Sequence, residues 1–578
     1  MKLRDNLLTF LLITLLFACT NRDLKDGEYS IEIYATNDLH GRLFDSLYTD
    51  NSASRVHPYS LASVSTYIND ARRVSGDENV LLLDIGDHLQ GDNSVFFYNF
   101  IDTVNTHLFV KVANYIGYDA VVVGNHDIEA GNRVYDKIKT EMKAPYLAAN
   151  AIRTSDSRPY FEPYTIIRKG KMKVAIIGMT NPNIPKWLSP DLWRGMKFIE
   201  IYPYIQELVD NIRIKENPHL IIVALHAGVG DTSIYNVENP ARFIAANTKG
   251  VDIIFAAHDH KTTAELIFNG EDSVLVLAGG SRASSLSCSR VNIKVKNGEI
   301  VEKSIKGSNI SMSNIEPDKQ YLSHFREEFL IVKEFTNRIA GTLNNRISTR
   351  DAFFGPSGYV DMIHSLQLEK SGAEISFAAP LNYDVTIEAG DLNYQDLLNI
   401  YPYENQLFVI KLSGDEVKNY LEYSYSKWIN KMNSQDDMLL MIRKSGSGER
   451  ERFVNVFFNF DSAAGIIYEV NAKKGDGERI TIISMADGRP FDLKRVYKVA
   501  LSSYRASGGG DLIEVGARIP REEIEGRVVE RLSDIRELLY QQLNERGSIE
   551  AKRLNHWKIV PEDFVKRAAK RDSLLLFN

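Results

Sequence analysis

Cysteine is almost missing: the 578 residues hold two, Cys19 and Cys288. Cys19 ends a leader-type segment, which leaves Cys288 without an intramolecular partner and excludes a disulfide framework. An excess of positive charge is missing as well. Lys and Arg number 69 against 76 Asp and Glu, a net charge of −7. That argues against a nucleic-acid polymer as partner, which requires a basic face; small phosphates stay open, because local metals can capture them. Tryptophan is scarce at four residues, none in a stretch that carries chemistry, which disfavours a carbohydrate-binding surface built on indole platforms. The apolar run of the leader, Leu7 to Phe17, is too short to span a bilayer as a permanent helix.

That leader is a targeting segment, to be set apart from the fold. Lys2 and Arg4 open it, with an atypical Asp5 between them and the apolar run. It closes as Leu16-Phe17-Ala18-Cys19, which resembles a bacterial lipobox. The resemblance implies that residues 1–19 are a lipoprotein signal and that Cys19 is lipidated after cleavage. The mature chain is then expected to be exported and anchored in a bacterial envelope, facing the periplasm or cell surface. Its membrane contact would be through the lipid alone.

A chain of 578 residues exceeds one core, so two or three domains are expected. The run Ala120-Val121-Val122-Val123 reads as a buried strand, and it breaks at Gly124 into Asn125, His126 and Asp127. Other apolar runs end alike. Ile31 to Thr36 leads to Asp38 and His40, and Val80 to Leu83 leads to Gly86-Asp87. Leu220 to Leu225 ends at His226, and Val251 to Ala257 ends at His258-Asp259-His260. Helically spaced apolar residues lie between the first of these runs. The alternation predicts a layered α/β domain over 29–315. Residues 316–340 read as a charged helical connector, 341–546 as a second α/β domain, and 547–578 as a terminal helix or docking tail. The stretch 430–452, rich in Ser, Asn, Gly and charge, reads as an exposed insertion. Cys288 falls in a strand-like run and is expected as a small buried hydrophobe.

Open α/β sheets bind ligands beyond the carboxyl ends of their strands. Asp38, His40, Asp87, Asn125, His226, His258 and His260 are therefore expected to converge. Nitrogen and oxygen donors without thiolate suit Zn, Mn, Fe or a similar divalent ion. The set divides into two metal sites that share one carboxylate, Asp87. Two such ions about 3.5–4 Å apart lower the pKa of a bridging water and hold the attacking and leaving oxygens of a displacement at phosphorus. His126, beside the metals, suits a group that stabilises developing charge or protonates the leaving oxygen. His88 reads as a rim or packing residue.

Taken together, Asp-x-His, Gly-Asp, Gly-Asn-His-Asp, a lone His and His-x-His resemble the calcineurin-like metallophosphoesterases. The resemblance implies one metal on Asp38, His40, Asp87 and His260, and a second on Asp87, Asn125, His226 and His258. It makes His126 the catalytic histidine, supported by Glu129 or Asp127. Ala257 stands where that family usually has glycine. The second domain carries Tyr401-Pro402-Tyr403-Glu404-Asn405 and Tyr504-Arg505-Ala506-Ser507-Gly508-Gly509-Gly510. These resemble the C-terminal domain of the 5'-nucleotidase and 2',3'-cyclic phosphodiesterase family. Tyr403 and Tyr504 would stack on a base, a contact of about 1–3 kcal/mol per base, with Arg505, Gly508 and Gly509 beside the substrate.

The implied fold is an N-terminal four-layer metallophosphoesterase domain, a helical connector and a C-terminal α/β substrate-binding domain. Gly86-Asp87-His88-Leu89-Gln90-Gly91 and the Tyr504 motif look more like the 2',3'-cyclic phosphodiesterase/3'-nucleotidase branch. The 5'-nucleotidase branch carries an arginine in the turn before Ala-Gly-Asp, and Ala379 to Asp384 has none. The implied activity is hydrolysis of 2',3'-cyclic and 3'-nucleotides by a dimetal enzyme acting on a small-molecule nucleotide; the sequence does not fix the oligomeric state, and a monomer is expected. A 5'-nucleotidase or nucleotide-sugar hydrolase is the alternative enzyme. A lipid-anchored nucleotide-binding protein without catalysis is the alternative outside enzymes, disfavoured because all seven ligand positions are filled.

Overall fold

The computed structural model describes residues 24–46, 48, 57–270, 272–443 and 451–577. Cys19 and the leader lie outside the described residues. Runs of Val, Ile and Leu make strands with both faces covered, the pattern of parallel sheets. Two six-stranded sheets result. The first runs in the order Glu299–Ser311, Ser285–Lys296, Gly27–Thr36, Val80–Asp84, Ala120–Val122, Tyr146–Leu147. Its last four strands are mutually parallel. The second runs Thr262–Asn269, Asp272–Gly279, Ile253–Ala256, Leu220–His226, Met172–Thr180, Tyr164–Lys169. Its four central strands are parallel.

Successive side chains on a strand point to opposite faces, and here each face has a different neighbour. Ile222 and Ala224 join Ile33, Leu81, Leu83 and Val122 of the other sheet in one core. Ile221, Val223 and Leu225 turn the other way, onto Ile205, Val209 and Ile212 of the helix Tyr204–Glu216. On the far side, Tyr34, Leu82 and Val121 pack with Leu61, Val64 and Val112 of the helices Leu61–Ser75 and Leu108–Ile116. The layers are thus helix, sheet, sheet, helix, as the resemblance implied.

The second domain is built on a five-stranded mixed sheet in the order Ser462–Ala464, Ile375–Ala378, Val496–Ser502, Gln406–Ser413, Val528–Asp534. Phe377, Phe408 and Ile410 pack against Val417, Tyr420 and Leu421 of the helix Gly414–Trp428. Ala378, Leu407 and Ala500 pack on the opposite side with Tyr359, Ile363 and Leu366 of the helix Gly358–Ser371.

The connector is two short helices, Lys319–His324 and Arg326–Thr336. Phe335 contacts Phe97 of the first domain at 5.3 Å and Tyr394 of the second at 4.5 Å between ring centroids. One apolar core therefore runs from the first domain through the connector into the second. Residues after 546 dock on the second domain and end in a helix. Ser548–Ile549 pairs with Ile339–Leu343, Trp557–Val560 pairs with Ile466–Asn471, and the helix Glu562–Phe577 buries Val565, Ala568 and Leu576. The 430–452 stretch is also more anchored than its composition suggests: Met432, Leu439 and Leu440 are buried. Cys288 is a free thiol, half-buried in Ser285–Lys296 rather than fully enclosed. No helix of the described residues is long and apolar enough to cross a membrane.

Candidate metal centre and adjoining cavity

The strand ends converge through unusual backbone. Asp38, His40, Asp87, His258 and His260 all have positive φ, between 45° and 77°. Side chains other than glycine rarely adopt that region, and where they do the conformation is held by its surroundings, commonly at functional sites. The holding contacts are visible: Asp38 N–H donates to Gly86 O at 3.2 Å, and His40 N–H to Asp87 O at 2.9 Å. Gly124 is required for a different reason. A Cβ there would lie 2.2 Å from Asp87 Oδ1, so any side chain would push the carboxylate out of place. Ala257, the departure from the family's glycine, is buried without a positive φ and fits its turn.

Two groups of ligand-type atoms form, Asp38 with His40 and His260, and Asp87 with His226 and His258, each within 4.8 Å. The nitrogens are aimed for coordination. His40 Nδ1 lies 3.1 Å from Gln90 O, and His226 Nδ1 lies 2.7 Å from Ile85 O. A carbonyl only accepts, so each Nδ1 carries the proton and each Nε2 lone pair faces inward. Those lone pairs crowd together: His40 Nε2 is 3.1 Å from His260 Nε2, and His226 Nε2 is 3.1 Å from Asp87 Oδ2. Asn125 Oδ1 sits 3.2 Å from His226 Nε2 and 2.9 Å from His258 Nδ1.

The electrostatics are those of a ligand set competing for positive charge. Burial, then the charge of Asp87, pushes the Asp38 carboxyl well above the usual range against the pull of His226. Burial acts upward on Asp87 too, but the imidazoles of His226 and His126 beside it hold it well below that range. Burial pushes His260 down to about 4. Buried carboxylates are stabilised by pairing or by coordinating a cation. The donor set, its inward lone pairs and its lack of thiolate fit two divalent ions.

His126 sits beside this set on the short helix Asn125–Glu129. Its N–H donates to Asp87 Oδ1 at 2.8 Å, and its Nδ1 is hydrogen-bonded to Glu129 Oε2. Burial opposes its charge, but Asp87 and Glu129 outweigh burial and push its pKa up to about 10. Asp127 does something else. Its carboxylate accepts from the N–H groups of Gly124 at 2.7 Å, Asp87 and His88 at 3.0 Å and Leu89 at 3.1 Å. It ties the Asp87 loop to the Asn125 loop. Of the two acids considered for support of His126, the structure places Glu129 there. His88 is enclosed, stacked on Phe109 at 3.8 Å and bonded to Asp84.

A cavity of about 290 Å³ opens from Asn125, His126, Glu129 and His258 toward the second domain. Tyr403 and Tyr504 both line it. Arg505 also reaches the wall, but its guanidinium is committed. It donates to Asp461 at 2.8 Å, to Asn459 at 2.9 Å and to the carbonyl of Gly509 at 3.2 Å, and lies 5.0 Å over the Tyr504 ring. Arg505 thus lies at the cavity wall with its guanidinium committed to Asp461 and Asn459 and its charge over the Tyr504 ring. Gly509 likewise serves Tyr504: a Cβ would come within 2.4 Å of its ring. Gly508 turns the chain with φ of 97°.

Three wall residues lie outside the expected set. Trp187 stacks on His258, centroids 5.1 Å apart and planes 20° apart, and lines the cavity. This corrects the sequence reading that no tryptophan lies near a candidate site. Glu238 Oε1 is 3.3 Å from His258 Nε2, and Phe458 stands edge-on to Tyr403 at 6.2 Å. Trp187 ends a four-residue helix and Glu238 lies in a loop. Neither has a periodicity or motif to mark it; only the scarcity of tryptophan could have drawn attention to Trp187.

Comparisons agree with this geometry. Residues 31–262 match the family model described as calcineurin-like phosphoesterase. Residues 338–515 match the one described as 5'-nucleotidase, C-terminal domain. The trifunctional nucleotide phosphoesterase protein of Bacillus subtilis is 25% identical over 92% of this chain, which spans 39% of that protein's length. The 2',3'-cyclic-nucleotide 2'-phosphodiesterase/3'-nucleotidase of Yersinia enterocolitica is 21% identical over 87% of this chain and 84% of its own. The solved 5'-nucleotidase precursor from Thermus thermophilus shares the fold, with a TM-score of 0.62, 18% identity, and coverage of 92% of this chain and 100% of that one. The chain joins a calcineurin-like phosphoesterase domain to a 5'-nucleotidase C-terminal domain, and it belongs to the family built on that pair.

Proposed function

We propose that this chain is a dimetal phosphoesterase that hydrolyses nucleotides outside the cytoplasm, with preference for 2',3'-cyclic and 3'-nucleotides. The carrying observation is a single cavity lined by Asn125, His126 and His258 of the first domain together with Tyr403 and Tyr504 of the second. Asp38, His40, Asp87 and His260 would hold one ion; Asp87, Asn125, His226 and His258 would hold the second. Divalent ions of the Zn, Mn or Fe type supply, when bound, Lewis acidity toward phosphoryl oxygens and a water of lowered pKa. The chain's own residues do the rest. Glu129 fixes the His126 ring through Nδ1, which leaves Nε2 to donate a proton to the leaving oxygen. Tyr403 and Tyr504 offer ring faces to a base. Trp187 closes the wall beside His258 and helps exclude water.

The branch preference is supported by the cations. Where the 5'-nucleotidase branch carries an arginine, Ala379 and Leu381 form the wall, and the sole Lys or Arg of the lining, Arg505, is spent on Asp461. A 5'-nucleotidase or nucleotide-sugar hydrolase would need its phosphate-binding cation elsewhere. Export and anchoring through Cys19, and a monomeric state, belong to the same proposal. Phosphate release from 2',3'-cyclic AMP (with a coupled phosphatase), 3'-AMP and 5'-AMP, by protein lacking residues 1–19 and loaded with Mn or Zn, tests it. Preference for the first two is expected; preference for 5'-AMP overturns the branch, and activity on none overturns the enzyme.

A further inference from the structure

The helix Gly358–Ser371 carries no motif, yet two of its residues, Ile363 and Gln367, line the cavity. They are four apart and so share a helix face. An isoleucine there is ordinary packing. Gln367 is not: it is only 1% exposed, and burying an amide costs free energy unless its polar atoms are paired.

One of those atoms is paired. Ser376 Oγ–H donates to Gln367 Oε1 at 2.6 Å. A hydroxyl has a single proton to give, so Ser376 accepts in turn, from His364 Nδ1–H at 2.9 Å. His364 Nε2 is then bare and accepts from Ser462 Oγ–H at 3.1 Å. Burial, with the charge of His556, holds the His364 pKa down to about 3, so the ring carries one proton, as this chain requires. The reverse direction fits less well. It would put an amide nitrogen 2.6 Å from Ser376 Oγ, closer than N–H···O bonds run, and leave Ser462 only the Ala378 carbonyl, at 3.4 Å.

The sheet explains why these groups meet. Ala378 of the strand Ile375–Ala378 is paired with Ser462 of Ser462–Ala464, and Ser376, two residues before Ala378, shares its face. That face packs on the helix. The chain thus turns Gln367 Oε1 away toward Ser376. Gln367 Nε2 makes no hydrogen bond with a described residue. It is not sealed in protein either, so its protons are open to the cavity. Ile363, one turn back, and Ala378 line the cavity as well. This part of the wall is a donor set among apolar groups.

We propose that Gln367 is a specificity-determining residue whose Nε2 donates to an acceptor, a carbonyl oxygen or ring nitrogen, on the edge of the substrate's base. Ser376, His364 and Ser462 hold the amide in that orientation. A base edge that presents N–H at this place meets a second donor and goes unpaired, and sites built on a hydrogen bond reject such a mismatch strongly. The proposal rests on the nucleotide-phosphoesterase reading above and adds which side chain sorts the bases.

The test measures kcat/KM of the holoenzyme on the adenine, guanine, cytosine and uracil 3'-nucleotides, or on the 5' series if that is the one turned over. The control without a base is 4-nitrophenyl phosphate. Gln367→Met keeps the length of the side chain and removes the donor. It is expected to lower kcat/KM about tenfold for the nucleotide the native enzyme prefers, mainly through KM, and less for the others, so that the ratios between bases narrow. Ser376→Ala, at a residue that does not line the cavity, frees the amide to turn and should narrow the same ratios by a smaller factor. Native rates on 4-nitrophenyl phosphate in both variants would show fold and metal groups intact. Unchanged ratios, or equal losses on every substrate including the control, overturn the proposal. A loss shared equally by the four nucleotides and absent from the control overturns it in favour of a contact to the sugar. If the native holoenzyme hydrolyses the control and no nucleotide, the nucleotide reading itself fails, which unchanged base ratios do not imply.

Discussion

Glu129 accepts a hydrogen bond from His126 Nδ1, three residues back on the same short helix. Residues three apart share a helix face, so the pair is made by local geometry and survives wherever the helix starts. Removing His126 as His126→Asn is expected to lower kcat by about 10²–10⁴, the usual contribution of a positioned general acid. Glu129→Gln should cost less, because the amide still positions the ring. Metal content measured by elemental analysis should remain that of the native protein in both variants.

Asp127→Asn should behave as a stability mutant. It exchanges a carboxylate that collects N–H donors from two loops for an amide that can no longer accept them all. Loss of a buried hydrogen-bonded acceptor costs about 1–3 kcal/mol. A lowered Tm together with weakened metal retention is the expected result; an unchanged Tm with lost activity would return Asp127 to a catalytic role.

Asp87→Ala removes the carboxylate proposed to be shared by the two ions. Both metal content and activity should collapse together. Retained activity with full metal content would refute the two-group assignment.

Tyr504→Ala should raise KM for a nucleotide by about 5- to 150-fold, the range of one lost base stack. KM for 4-nitrophenyl phosphate should barely move. Trp187→Ala is expected to affect both substrates, because its ring braces His258 as well as the cavity wall.

Two buried histidines that are not among the metal-ligand residues set an acid limit. His364 lies between the hydroxyls of Ser376 and Ser462, at 2.9 and 3.1 Å, and burial, with the charge of His556, holds it down to about 3. His107 is likewise lowered by burial to about 3. The unfolded chain binds these protons near pH 6.5, so between about 6.5 and 3 the unfolded state holds more protons. Stability from these groups is complete above 6.5 and is lost as pH falls toward 3. Tm measured from pH 7 to 5 should decline, and His364→Asn should flatten the slope even if it lowers the plateau.

The strands and their terminal ligands are legible in the sequence because a buried parallel strand is a dense apolar run, and the polar residues after it are abrupt. Asp38, Asp87, Asn125 and His226 stand out on that contrast alone. The division of labour between Glu129 and Asp127 is not legible: both are acids just after His126, and only the backbone amides of a loop 40 residues upstream decide where Asp127 points. Arg505 reads as a ligand because its motif borders the cavity, while its actual partner, Asp461, is 44 residues away in sequence. The 547–578 segment reads as either a terminal helix or a docking tail because its apolar residues are interspersed with charge. Its docking depends on an open edge at Ile466–Asn471 that no local pattern announces.

The unbroken apolar core through Phe335 has a bearing on modularity. A clamp domain joined by a loose tether could be exchanged for another like a tool on a handle. Here Phe97, Phe335 and Tyr394 are one packed seam, so a graft of a foreign second domain inherits an exposed aromatic scar unless the seam travels with it. New substrate ranges in this chain are therefore reached more readily by changing residues around the cavity than by replacing the half that carries Tyr403 and Tyr504.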